Sequence, residues 1–230
     1  MNDQTEQDQT NANAQASAAE AVEQGIDISE TVRDITLQAL SQGKLDTDKI
    51  RGVVRAVLSG AREGADKQSG ESSTERLRAA LSGVDEALAN SVQASRLAIE
   101  EAAGQVNELG SGEFKRALEE LRALESLFLS AVKETAASSE QRIKQTLNDF
   151  VDHAKISGTA VGNAATESAS LLTRQLGDLL KETATEGANR VLQVGSRLSH
   201  AAAGFLEGIA VSLNERSGRG DKTVDRNDPE

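Results

Sequence analysis

The chain has 230 residues with a single proline, Pro229, no cysteine, no Trp or Tyr, four Phe, and a formal net charge of −12. That composition excludes disulfides, Cys-ligated metal centres and thiol nucleophiles, and it disfavours turn-rich and β-rich folds, which draw on proline, aromatic and β-branched residues. The acidity argues against a nucleic-acid partner, because neutralising phosphates requires concentrated Lys and Arg.

Residues 1–25 carry five acidic and no basic residues in a Gln, Asn, Ala and Thr background, without bulky apolar periodicity. They are expected to form a disordered acidic tail. With no basic residue before Arg33 and no apolar run, this segment has neither the charge nor the core of a secretory or transit signal, and a cytoplasmic location is expected.

Residues 26–66 read as an αα-hairpin. Asp27 followed by Glu30 resembles a capping box; Ile28, Val32, Ile35 and Ala39 supply an inward face, and Gly43 a stop. Thr47 opens the second helix, in which Ile50, Val53, Val54, Val57, Leu58 and Ala61 fall on one side. Arg51, Arg55 and Arg62 share the opposite side, a candidate basic amphipathic face of the kind that lies on anionic membranes, although packing on a partner helix explains the pattern better. Residues 67–73, with Gly70 and three serines, read as a linker.

From Leu77 to Leu213 apolar residues recur in steps of four, three and four, an 11-residue repeat. Eleven residues over three turns is about 3.67 per turn, close enough to a straight helix for the stripe to stay on one face. Its candidate core or surface residues include Phe114, Leu121, Phe128, Val132, Ile143, Leu147, Phe150, Leu172, Leu176, Val194, Leu198, Phe205 and Ile209, so all four Phe lie on it. Breaks at Gly110-Ser111-Gly112 and around Ile156–Gly162 divide residues 74–214 into three long helices, expected over 74–109, 113–155 and 163–214. Residues 215–230 form a second polar tail. The fold class is therefore all-α: a helical hairpin, then three long amphipathic helices as an elongated bundle or coiled-coil-like assembly, with disordered tails.

No catalytic, cofactor-binding or metal site is legible. His153 and His200 are far apart, Asp149 and His153 form only an i, i+4 pair, and the serines lie in no nucleophile elbow. Gln42-Gly43-Lys44-Leu45 lacks the spacing and hydroxyl of a phosphate loop, and Arg219-Gly220-Asp221 reads as coincidence in a polar tail. A non-enzymatic protein needing no cofactor is expected. No segment has the roughly 20 apolar residues of a bilayer span. Residues 199–213 are the most apolar stretch, and Gly204 and Gly208, one turn apart, would let another helix approach closely.

The 11-residue repeat with Phe114, Phe128, Phe150 and Phe205 on its stripe resembles exchangeable lipid-surface proteins such as apolipoproteins and lipid-droplet coats. The acidic composition, length and long helices resemble phasins, which coat polyhydroxyalkanoate granules, although the Ala/Lys/Pro-rich basic tail of some phasin-related proteins is missing. Ile50–Ala65 and Gly204–Leu213 resemble an uncharacterised family of small bacterial helical proteins. These resemblances imply a peripheral coat on a lipid or polymer granule, with self-association or partner helices. The alternative is a structural or signalling coiled-coil scaffold, suggested by the Ala/Glu/Ser texture of residues 95–103.

Overall fold

The computed structural model describes residues 2–42, 47–105 and 111–185. Among them are seven helices and no strand: α1 (Asn2–Gln24), α2 (Ile28–Ser41), α3 (Thr47–Asp66), α4 (Glu71–Gln105), α5 (Ser111–Ala137), α6 (Gln141–Ser157) and α7 (Ala160–Thr185).

The N-terminal 25 residues depart most from expectation, because they contain the 23-residue helix α1 rather than a disordered tail. Bulky apolar residues are not what holds it. Ala14, Ala18 and Ala21 recur at spacings of four and three, and they are buried together with Val22. They face a seam on α3 made of Gly52, Ala56, Gly60 and Gly64, four residues apart and therefore on one side of that helix. A Cβ at Gly60 would overlap the Gln15 carbonyl, and one at Gly64 would overlap the Ala19 carbonyl, so only glycine admits the backbone of α1 at this distance. Gly83 of α4 stands in the same relation to the Ser29 carbonyl of α2.

The meeting points advance in the same direction along α1 and α3. Asn11, Gln15 and Ala19 of α1 lie against Gly52, Gly60 and Gly64, so α1 and α3 run parallel. The expected 26–66 hairpin is thereby corrected in its packing, since α3 lies mainly on α1 and α2 mainly on α4.

Helix ends are secured by groups from neighbouring helices. Gly25, at φ +76°, ends α1, and Arg76 of α4 donates to the carbonyls of Val22 and Glu23 at 2.9 and 2.6 Å. A cation thus meets the carbonyls that a helix C-terminus leaves unpaired. Asp27 precedes α2 in a left-handed conformation, φ 43°, and makes no side-chain cap, so the anticipated capping box does not form. The linker is shorter than the expected 67–73: α4 begins at Glu71, and the buried Ser73 hydroxyl donates to the Ala65 carbonyl at 2.8 Å, tying α4 to the end of α3.

The expected helix 113–155 is two helices. Ser138 and Ser139 both donate to the Thr135 carbonyl from their hydroxyls, while their backbone N–H groups reach back only three residues, to Thr135 and Ala136. Serine side chains compete with the backbone for carbonyls, and here two in succession coincide with the tightened end of α5. The break foreseen in 156–162 is a turn at Gly158-Thr159, with Gly158 at φ +76°.

The buried residues form one continuous cluster from Ala14 to Leu172. α4 is its spine, contributing Leu77, Leu81, Val84, Leu88 and Val92. Phe128 of α5 and Phe150 of α6 meet edge to face, with centroids 5.8 Å apart. α4 and α5 touch each other little directly; both pack on α7, which lies between them.

Substituting Gly60→Ala tests the α1–α3 seam with opposed signs. Helix propensity alone favours alanine by about 1 kcal/mol, whereas overpacking against a fixed backbone costs about 1–3 kcal/mol. A lowered urea midpoint is expected, and a raised one would show that the backbones are not in contact.

Candidate functional site

The stripe lies inside the bundle wherever its side chains are described. Leu121, Phe128, Val132, Ile143, Leu147 and Leu172 are buried, and Phe150 is partly buried against them. Val194, Leu198, Phe205 and Ile209 lie outside the described residues, as do the side chains of Phe114 and Leu176 and the glycine pair of 204–208.

The three arginines of the candidate basic face are engaged by carboxylates and a carbonyl. Arg55 forms an ion pair with Glu134 of α5, and Arg62 donates to the Ser138 carbonyl at 3.2 Å, so both are turned toward α5. Arg51 pairs with Asp48 one turn earlier on α3. The face joins two helices, in line with packing on a partner helix.

Asp149 and His153 are both exposed on α6, and His200 lies outside the described residues. Among the described residues no three His, Cys, Asp or Glu side chains are placed to hold one metal ion. No described helix is long and apolar enough to cross a membrane.

The most organised polar constellation was not singled out from sequence. Asp85 of α4 is 8% exposed, and its two carboxylate oxygens accept the backbone N–H groups of Ala160 and Val161 at 2.7 and 2.9 Å. Thr159, 4% exposed, accepts the Gly162 N–H at 2.9 Å and donates to the Glu125 carboxylate of α5 at 2.8 Å. The first three N–H groups of α7, which have no partner within the helix, are therefore all satisfied, one by its own N-cap and two by another helix. The carboxylates also complement the positive end of the α7 dipole. Gly162 leaves room for this arrangement, since a Cβ there would run into the Glu125 carboxylate. Glu125, a charge at an 11-residue step from Phe114 and Ala136 on the apolar stripe, thereby acquires a role. In the sequence, Asp85 betrays itself only by its place between Leu81 and Leu88–Ala89, on the apolar side of α4.

Burial pushes the Asp85 carboxyl above the ordinary carboxylate value; the two N–H donors pull it down and offset part of that rise, while Glu125 and Glu86 add to it. Such an arrangement ties α4, α5 and the start of α7 together.

Residues 2–215 match the model of a family of unknown function, DUF6781. The chain belongs to this family. The match takes in α1 through α7 and the seam of α1 on α3, so the whole bundle lies within the family's extent. No curated protein and no solved structure matches the chain.

The Asp85 environment fixes a pH dependence. A carboxyl whose pKa is raised on folding binds its proton more tightly in the folded state, so its contribution to stability grows as pH falls from neutrality through the raised value toward the ordinary 3.8. Measured as unfolding free energy at pH 7 and near pH 4, wild type should gain on Asp85→Asn over that interval. Equal pH slopes in the two proteins would contradict the assignment.

Proposed function

We propose that this is a non-enzymatic, amphipathic helical protein that coats a hydrophobic surface, a lipid or polymer granule or a membrane, by opening its bundle and laying the apolar stripe against it. The observation that carries the reading is that α5 and α6 draw their core side chains from one face. Leu121, Phe128 and Val132 of α5 and Ile143, Leu147 and Val151 of α6 point inward, while Arg122, Lys133, Lys144 and Asp152 face water. Separated, such helices present continuous apolar faces that need another cover. The 11-residue repeat from Leu77 to Leu213 would keep those faces aligned, and the lack of proline before Pro229 avoids the cost of about 3 kcal/mol that one would impose within a helix. The likeness to phasins and to exchangeable lipid-surface proteins supports the same reading.

A second reading, a scaffold acting through protein contacts, is favoured by one specific observation: the described stripe is already buried. Ile26, Leu97 and Ile156 are the large apolar side chains left exposed among the described residues, and they are scattered. In that case the closed bundle is the working form, self-associating or binding partner helices through its surface.

Co-sedimentation with liposomes and with polyhydroxyalkanoate granules separates the two. The coat predicts binding to at least one surface with helicity retained. Absence of binding to both, with a compact oligomer in sedimentation velocity, would replace the coat with the scaffold.

A further inference from the structure

Helix α7 is attached differently from the helices it covers. Over residues 160–174 its buried side chains are Val161, Ala164, Ala165, Ser168, Ala169 and Leu172, so two large apolar groups serve about four turns. Over a similar length α4 buries Leu77, Leu81, Val84, Leu88 and Val92. Burying apolar area stabilises by about 25 cal/mol per Å², and alanine and serine offer little of it. Polar anchors gathered at one end take a larger share: Asp85 on the N–H groups of Ala160 and Val161, and Thr159 linking the Gly162 N–H to Glu125.

Immediately before these anchors lies Gly158, at φ +76°, where α6 ends with its N–H on the Ala154 carbonyl. A chain that rotates at Gly158 moves α7 without disturbing the α6 ladder, because the glycine backbone adopts other conformations at no steric cost. Since α4 and α5 make few contacts with each other and both pack on α7, removing α7 leaves a cleft between two stripe-bearing helices.

From this placement we propose that α7 is a releasable strap, latched at its N-terminus by Asp85 and Thr159 and hinged at Gly158, whose departure uncovers the apolar faces of α4 and α5. Release is a local opening in which α2, α3 and α4 remain folded. The inference rests on the coat reading only for its use: the strap names the element that opens first when the stripe is transferred to a surface. Elements that open before the rest of a fold combine modest apolar burial with polar attachments gathered at one site, and α7 has both over residues 160–174, where its side chains are described.

Hydrogen exchange followed by mass spectrometry on the full chain tests this, comparing wild type with Asp85→Ala and, as a milder change, Thr159→Ala. Asp85→Ala leaves the buried Val161 N–H and the part-buried Ala160 N–H without their acceptor, and Thr159→Ala removes the N-cap. In each variant, amides of residues 163–174 should exchange at least tenfold faster while those of α2 and of residues 50–65 in α3 keep the wild-type rate. Should Asp85→Ala fail to fold, Thr159→Ala decides. Uniform acceleration across α2, α3 and α7 would overturn the strap, as would no acceleration in α7.

A parallel measurement with anionic vesicles of phosphatidylglycerol and phosphatidylcholine distinguishes this failure from failure of the coat reading. Faster α7 exchange with greater vesicle binding supports both. Faster α7 exchange without any vesicle binding upholds the strap and counts against the coat on membranes. Vesicle binding by wild type and variants alike, with α7 exchange unchanged, overturns the strap and upholds the coat.

Discussion

The close approach of helix backbones at glycine is the constraint on which the rest of the bundle depends. Gly60 and Gly64 admit the carbonyls of Gln15 and Ala19, and Gly83 admits that of Ser29. Helices this close gain dispersion contacts along their whole length, each small and together substantial. Glycine inside a helix is a concession, since it costs about 1 kcal/mol relative to alanine. The concession makes sense here only because the neighbouring backbone occupies the space a Cβ would need. With α1 on α3 and α2 on α4, the first four helices interlock, and α4 is then positioned to extend its apolar face to α7.

Polar groups complete what the small residues begin. At helix ends, where backbone groups have no partner of their own, the bundle supplies them from elsewhere in the chain: Arg76 for the carbonyls ending α1, Ser73 for the Ala65 carbonyl, Asp85 and Thr159 for the N–H groups opening α7. The contacts of Arg76 and Asp85 link elements distant in sequence, so those helix ends double as tertiary ties. The pair Arg55–Glu134, with Arg62 on Ser138, adds the tie between α3 and α5. Their surface exposure limits what such ion pairs contribute, typically to below about 1 kcal/mol, but they fix which faces meet. A face of arginines that suggests a membrane when read alone is, in its surroundings, an interhelical contact.

How much of this was legible depended on side-chain size. The stripe residues Leu77, Leu81, Val84 and Leu88, and Phe128 with Val132, announce their helices because large apolar groups at helical spacing have little other use, and all are buried. The turn at Gly158 was likewise marked by its glycine. α1 escaped because its signal is carried by Ala14, Ala18 and Ala21, which polarity-based reading treats as neutral, in a segment otherwise of Gln, Asn and acids. The decisive information lay forty residues away, in the spacing of Gly52, Gly60 and Gly64, and it becomes a helix signal only when the two segments are considered together. The split between α5 and α6 rests on two serine hydroxyls competing for one carbonyl, a local effect that the continuing apolar repeat conceals. Asp85 is marked in its own helix only as a charge on the apolar side, and its role could not be read there because its partners are backbone groups of residues 160 and 161. Membership of the family of unknown function spans both the legible and the concealed parts, residues 2–215.

The account's central claim is that an N-terminal segment without bulky apolar residues is nevertheless an integral helix of the bundle, held by backbone approach at glycine. The direct measurement is the urea unfolding midpoint, by circular dichroism, of the full chain against a chain beginning at residue 25. An integral α1 predicts a clear loss of midpoint on truncation together with a steeper loss of helicity than the 23 residues alone account for. An unchanged midpoint, with helicity unaltered, would contradict it and return residues 2–24 to the status of a tail.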